Sequence, residues 1–278
     1  MSVKTDQFEE NIAEFIAQQQ ALPAKLPQWM IALNIQPNAK IVSAKRVGSK
    51  NAKTDILVTF ANGAPLKISA KLTNADYFGN WYSHKRIVRE FGEHAFQRLV
   101  SDCTQWANEW KHTKNASIFV GVSVSFGKRS GLTAREFTDV FTYEDIVKVV
   151  AGVGEGDDVA NCLYQGSQLP ETIEDLLSFL QPINEETVLA LSKNFKVAYR
   201  PINPMTEDSN RGKCSYAKFQ PYKQLVEQTT VTTLEQLNTL GEYVEVQYDS
   251  TNHNHILREL EAEYNIVIPK KVKTKKTT

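Results

Sequence analysis

Two runs of alternating residues constrain this chain more than anything else in it. They are TDILVTF over 54–60 and LKISAK over 66–71, joined by ANGAP. Ile56, Val58 and Phe60 alternate with Leu57 and Thr59, a period of two that belongs to strands. Asn62-Gly63 between the runs is a hairpin signal, because such turns need residues that tolerate positive φ. A hairpin folds the chain back, so the start of the first run lies beside the end of the second. Asp55 and Lys71 then meet at one edge of the sheet, carboxylate beside ammonium. A carboxylate offers hard oxygen to a cation, and an ammonium steadies an attacking water and the charge building on phosphorus. The pair therefore suits metal-assisted phosphodiester hydrolysis. The same residues also suit an ordinary hairpin with a capping Asp and a solvent-facing Lys.

Lys53-Thr54-Asp55 at the opening of one strand and Ser69-Ala70-Lys71 at the close of the next carry a resemblance. The segment resembles the core of the PD-(D/E)xK nuclease superfamily, the fold of most type II restriction endonucleases. Asp55 stands at the PD position and Ser69-Ala70-Lys71 at the (D/E)xK position. The lead-in Gly48-Ser49-Lys50 is similar to a stretch that approaches the scissile phosphate in several restriction enzymes. The likeness covers roughly residues 1–125. Ser69 departs from the pattern: a neutral hydroxyl replaces the second acid, so the site loses one negative charge. Some members of the superfamily take the missing carboxylate from a helix, and others keep the fold without the activity.

Charge distribution bears on this reading. The formal net charge is +0, yet residues 38–129 hold fifteen Lys and Arg against six Asp and Glu, and residues 136–192 hold one against twelve. The basic block contains the hairpin, and clustered positive charge is the footprint of phosphate contact; it also suits a merely solvated face. With 41% hydrophobic and 23% charged residues the chain reads as globular and soluble, long enough for one large domain or two small ones. No apolar run approaches the ~20 residues of a membrane helix. The start turns acidic without an apolar stretch, so no signal peptide is expected. Three scattered cysteines without a CxxC suit a reducing cytoplasm and argue against a zinc cluster.

Residues 6–19 read as an amphipathic helix with Phe8, Ile12, Phe15 and Ile16 on its apolar face. In the resembled family the first helix often supplies an acid near the metal, and Glu10 is the candidate; a solvated acidic face is the plainer reading. A short helix over 25–33 and a strand over 40–47 follow. Residues 84–110 read as one long helix, on the spacing of Ile87, Phe91, Ala95, Leu99, Cys103, Trp106 and Trp110. Cations at its start (Lys85, Arg86, Arg89) oppose the macrodipole, which suits backbone phosphate; pairing of Arg89 with Glu93 explains them equally. Glu90 or Glu93 could replace the carboxylate missing at 69. His84, His94 and His112 read as surface residues. Residues 117–126 read as a strand, giving helix, three strands, helix, strand: an α/β sandwich with a mixed central sheet. Farther on, 142–150, 171–180 and 185–192 read as helices, and 194–200 and 243–249 as strands. The turn with Gly152, Gly154 and Gly156 is too acidic to cradle phosphate. The stretch 209–223 interleaves Arg211, Lys213, Lys218 and Lys223 with Tyr216, Phe219 and Tyr222, which suits DNA or a half-buried loop. The tail PKKVKTKKTT is expected to be disordered.

The expected fold is therefore α/β: a restriction-endonuclease-like core over 1–130, an α+β extension over 131–268 and a basic tail over 269–278. The resemblance implies a Mg²⁺-dependent deoxyribonuclease similar to type II restriction or homing endonucleases. Asp55 and Glu10 would bind the metal, Lys71 would position the water, and Ser69 would hold a metal-bound water or a phosphate oxygen. Lys50, Lys53, Lys85, Arg86 and Arg89 would touch backbone phosphates of double-stranded DNA. A homodimer is implied, because a two-stranded cut needs two sites. The rival expectation, favoured by Ser69, is a non-catalytic phage structural or anti-defence protein that retains the core.

Overall fold

The computed structural model describes residues 3–48, 52–71, 77–79, 82–127, 131–184, 186–187, 190, 195–207, 214–248 and 251–271; the side chains of 3, 4, 71 and 77–79 lie outside that description. Along the chain run α1 (Val3–Ala17), α2 (Gln28–Ala32), β1 (Ile41–Arg46), β2 (Ile56–Phe60), β3 (Leu66–Lys71), β4 (Tyr77–Gly79), α3 (His84–Phe91), α4 (Glu93–Trp110), β5 (Gly121–Gly127) and β6 (Ala134–Glu136). There follow α5 (Tyr143–Ala151), β7 (Cys162–Gln165), α6 (Ile173–Phe179), β8 (Leu180–Pro182), β9 (Lys196–Pro201), β10 (Ala217–Pro221), β11 (Thr229–Thr230), α7 (Leu234–Asn238), β12 (Gly241–Glu245), α8 (His253–Tyr264) and β13 (Ile266–Val267). The protein is thus mixed α/β.

Two compact units divide it. Unit 1 is Met1–Phe78 with Thr142–Lys193, and unit 2 is Gly79–Phe141 with Asn194–Thr278. The single boundary expected at 130 gives way to this discontinuous division. Its cause is a long-range pairing: β3 lies parallel to β7, Ile68 opposite Cys162 and Lys71 opposite Gln165. The chain between them contributes most of its length to unit 2.

Unit 1 is built on a sheet of order β1-β2-β3-β7-β8. The pairs β1/β2, β2/β3 and β7/β8 are antiparallel. The hairpin forms as its pattern dictates. Ile56 and Val58 of β2 and Leu66, Ile68 and Ala70 of β3 are buried in one cluster with Ile12 and Ile16 of α1. Burial of one such aliphatic side chain contributes about 1.5–3 kcal/mol. The turn uses Gly63 at φ 101°, and a side chain there would come within 2.7 Å of the Asn34 carbonyl oxygen. Only glycine meets both demands. A capping box starts α5: the Thr142 hydroxyl accepts from the Asp145 N–H, and the Asp145 carboxylate accepts from the Thr142 N–H.

Unit 2 is built on antiparallel strands in the order β12-β10-β5-β9-β6. Phe126 of β5 packs among Tyr82, Phe91, Phe137 and Phe141. Trp106 of α4 lies 5.0 Å from the Tyr199 ring. The expected helix over 84–110 is two helices, because Gly92 at φ 89° ends α3 and precedes α4. The strand expected over 117–126 begins at Gly121 and belongs to the sheet of unit 2, not to the sheet of the hairpin. In the stretch 209–223, Phe219 on the buried side of β10 and Tyr216 just before that strand are core residues rather than exposed platforms; Tyr222 is exposed. Lys218 pairs with Glu259 at 2.7 Å, and Arg211 and Lys213 lie outside the described residues. So do residues 272–278 of the tail.

His94 and His112 are exposed, as expected, but His84 is fully buried. Its Nε2 sits 2.8 Å from the Ser215 carbonyl oxygen. A carbonyl only accepts, so Nε2 carries a proton. Burial lowers the His84 pKa, with hydrogen bonds to backbone carbonyls opposing the shift. A histidine with a lowered folded pKa stabilises the fold above its unfolded value near 6.5, and that stability is lost as pH falls toward the folded value. Urea unfolding should therefore show stability declining below about pH 6.5, by up to about 1.4 kcal/mol per pH unit from this residue. A folded His84→Gln variant should show a shallower decline. Equal slopes in the two proteins would remove His84 as the cause.

Candidate active site

The start of β2 and the end of β3 are joined by one side chain. Asp55 is 6% exposed, and its Oδ2 accepts from the Ala70 N–H at 2.8 Å and from the Ser69 hydroxyl at 3.3 Å. Its own N–H donates to the Ile68 carbonyl at 2.8 Å, and its carbonyl accepts from the Val47 N–H at 2.9 Å. Asp55 thereby binds β1, β2 and β3 at one end of the sheet. These backbone and hydroxyl donors meet the lone pairs of a buried carboxylate.

A second carboxylate arrives from α1. Glu9 is 1% exposed. Its Oε2 accepts from Arg46 Nε at 2.8 Å, and Arg46 Nη2 reaches Asp6 Oδ1 at 2.7 Å. Arg46 is the last residue of β1, paired with Ile56, so the strand register sets it beside Asp55. The hydrogen bond that Arg46 donates to Glu9 raises the Arg46 pKa most; burial opposes it, and the charges of Glu9, Asp6 and Glu10 add to the rise. The pair is buried on one side only: the Glu9 side chain is 2% exposed and that of Arg46 24%. Gly48 completes the cluster. A methyl group at position 48 would stand 3.7 Å from Asp55 Oδ1 and 3.8 Å from both Arg46 Nη2 and Glu9 Oε2. The Asp55 and Glu9 carboxylates and the Arg46 guanidinium therefore all border the place where a side chain at position 48 would stand.

The expected site residues fall as follows. Asp55 and Ser69 are brought together. Ser69 is fully buried and holds Asp55 rather than standing open to solvent. Lys71 ends β3, but its side chain lies outside the described residues, as do Ser49 and Lys50. Glu10 is exposed; the α1 carboxylate beside Asp55 is its neighbour Glu9. The sequence did carry a signal for Glu9: it precedes Ile12, Ala13 and Ile16 by three, four and seven residues, on the stripe that is buried. Lys53 donates its backbone N–H to the Asp158 carbonyl at 2.9 Å, and its side chain lies against Gly152. Lys67 Nζ donates to the Gly156 carbonyl at 2.7 Å. The acidic glycine-rich turn thus braces the hairpin.

Lys85, Arg86 and Arg89 lie on α3, in unit 2. Lys85 is exposed. Arg86 pairs with Glu90 at 2.7 Å and stacks over the Tyr82 ring at 3.8 Å. Arg89 pairs with Glu90 at 3.1 Å, not with Glu93. Glu93 is exposed. Neither Glu90, committed to two arginines, nor Glu93 belongs to the unit that holds Asp55.

Among the described residues no three His, Cys, Asp or Glu side chains gather into a metal-binding group. No helix among them is long and apolar enough to cross a membrane. No protein-family model matches the chain, and no curated protein matches it.

Proposed function

We propose that unit 1 is a metal-dependent DNA endonuclease core of the PD-(D/E)xK kind, hydrolysing phosphodiester bonds as type II restriction and homing endonucleases do. The observation that carries this reading is the buried Asp55 carboxylate at the head of β2, tied across to Ser69-Ala70 of β3 beside Glu9 of α1. The connectivity supports it. A helix, three antiparallel strands, a helix (α5) and a strand parallel to the third (β7) follow one another within unit 1. That is the order read for the resembled core, with α5 and β7 in place of 84–110 and 117–126.

The residues present fit Mg²⁺. This ion is commonly held through one or two carboxylates, with waters and substrate phosphates completing six oxygens. Asp55 and Glu9 supply two carboxylates, and Gly48 adds no side chain of its own beside them. When bound there, Mg²⁺ supplies Lewis-acid stabilisation of negative charge on the phosphoryl oxygens. The chain's own residues do the rest. Ser69 and the Ala70 N–H fix the orientation of Asp55 before substrate arrives, so little reorganisation is needed in the transition state. Lys71 is assigned the attacking water, which it orients and whose developing charge it balances. Double-stranded DNA is the proposed partner, with a homodimer as the acting form. A cytoplasmic setting is proposed on the three free cysteines.

A second reading has its own observation. Ser69 is neutral, and Glu9 is already engaged by Arg46. A non-catalytic phage structural or anti-defence protein that retains the core would tolerate both.

Cleavage of supercoiled plasmid separates the two. Asp55→Asn preserves an acceptor for the Ala70 N–H, whereas Asp55→Ala would orphan it, so Asn is the cleaner variant. Mg²⁺-dependent nicking or linearisation by the wild type should fall at least about a hundredfold in Asp55→Asn, Glu9→Gln and Lys71→Ala. Undiminished cleavage in folded Asp55→Asn would reject the assignment, and an inactive wild type would favour the second reading.

Binding gives an independent check. If Lys85 touches a phosphate, Lys85→Ala should flatten the log–log salt dependence of duplex DNA affinity by about 0.9. Deletion of 269–278 is the control for its five lysines. A slope carried wholly by that tail would show that the folded chain does not read DNA.

A further inference from the structure

Arg46 is out of place for a residue beside a divalent-cation site. Its guanidinium sits where two carboxylates meet, with Nε on Glu9 at 2.8 Å and Nη2 on Asp6 at 2.7 Å. Nη2 also borders the same space at Gly48 as Asp55 Oδ1 and Glu9 Oε2. Of the three acids around it, Glu9 and Asp55 are buried and Asp6 is 42% exposed. A buried carboxylate needs a cation or donors to remain ionised. Arg46 is a cation in direct contact with Glu9 Oε2.

We propose that Arg46 is a resident counter-ion that holds Glu9 in position, and that a divalent cation must displace it from Glu9 to bind. This rests on the reading of Asp55 and Glu9 as the metal carboxylates. Geometry supports exchange rather than permanent structure. Arg46 ends a strand, its guanidinium is about a quarter exposed (24%), and one of its two partners is open to water. Released from Glu9, the guanidinium keeps a partner in Asp6, so displacement does not strand a buried positive charge. Its fork shape matters, since only a planar guanidinium reaches both acids at once. Arg46 is a positioning residue: it acts on the metal through Glu9. It makes metal uptake weak until substrate phosphate adds its own oxygens, so full occupancy is coupled to DNA.

The test is Mn²⁺ affinity of the full chain without DNA, measured by titration calorimetry with circular dichroism as the check on folding. Arg46→Gln removes the competing charge from Glu9, so Mn²⁺ should bind at least about tenfold more tightly than to the wild type. Arg46→Lys retains a point charge without the fork and should fall between the two. The gain should vanish in Arg46→Gln/Glu9→Gln. An Arg46→Gln affinity equal to or below wild type overturns the proposal, as does a gain that survives the loss of Glu9. Should Arg46→Gln not fold, Arg46→Lys decides: tighter binding than wild type supports the exchange, and equal or weaker binding overturns it. Plasmid cleavage is scored separately. Tighter Mn²⁺ binding without cleavage in any variant would leave the exchange standing while rejecting the nuclease reading.

Discussion

The hydrogen bonds that Asp55 accepts from Ala70 and Ser69 are the interaction on which unit 1 turns. Strand pairing proper ends at Ile56 and Ile68, and beyond it the Asp55 side chain does what backbone otherwise would. Because a buried carboxylate costs several kcal/mol unless its lone pairs are met, this arrangement tolerates little movement. It fixes the β2–β3 edge, seats Val47 and hence Gly48 through the Asp55 carbonyl, and leaves Glu9 and Arg46 arranged about the same space. Stability and the proposed chemistry therefore draw on one set of contacts.

The polarity of the chain takes on meaning in this frame. Residues of the acidic block return to unit 1 after the excursion into unit 2, and their first turn braces the basic hairpin from behind. Asp158 offers its carbonyl to Lys53 and Thr54, and Gly156 offers its own to Lys67. These contacts use the backbone carbonyls of the turn. On α3 the opposite holds: Arg86 and Arg89 converge on Glu90. Lys85, exposed and outside that pairing, is the better candidate there for a phosphate.

How much of this was legible in the sequence follows from range. The hairpin was readable because period-two alternation and Asn62-Gly63 are local; β3 falls on the residues read for it. Glu9 was readable in principle, since helical spacing from Ile12 and Ile16 marks its face, but its neighbour Glu10 draws the eye as the acid at the helix surface. The break at Gly92 was hidden because Ile87, Phe91, Ala95 and Leu99 keep four-residue spacing through it. Residues 84–126 looked like the next helix and strand of the core because they come next. The strand that pairs with β3 begins at Cys162, and no local pattern announces a parallel partner that distant. Arg46 was legible as a strand residue only; its role needs Glu9 and Asp6 beside it.

The central claim is that Asp55 and Glu9 together form the cation site of unit 1. Paramagnetic broadening by substoichiometric Mn²⁺, read on the backbone amide resonances of the metal-free protein, tests it most directly, because broadening falls steeply with distance from the ion. The account predicts that the amides of Gly48, Asp55, Ser69 and Ala70 broaden first, and that Asp55→Asn abolishes the effect. Early broadening confined to the acidic turn at 155–158, with Gly48 and Ala70 untouched, would contradict it.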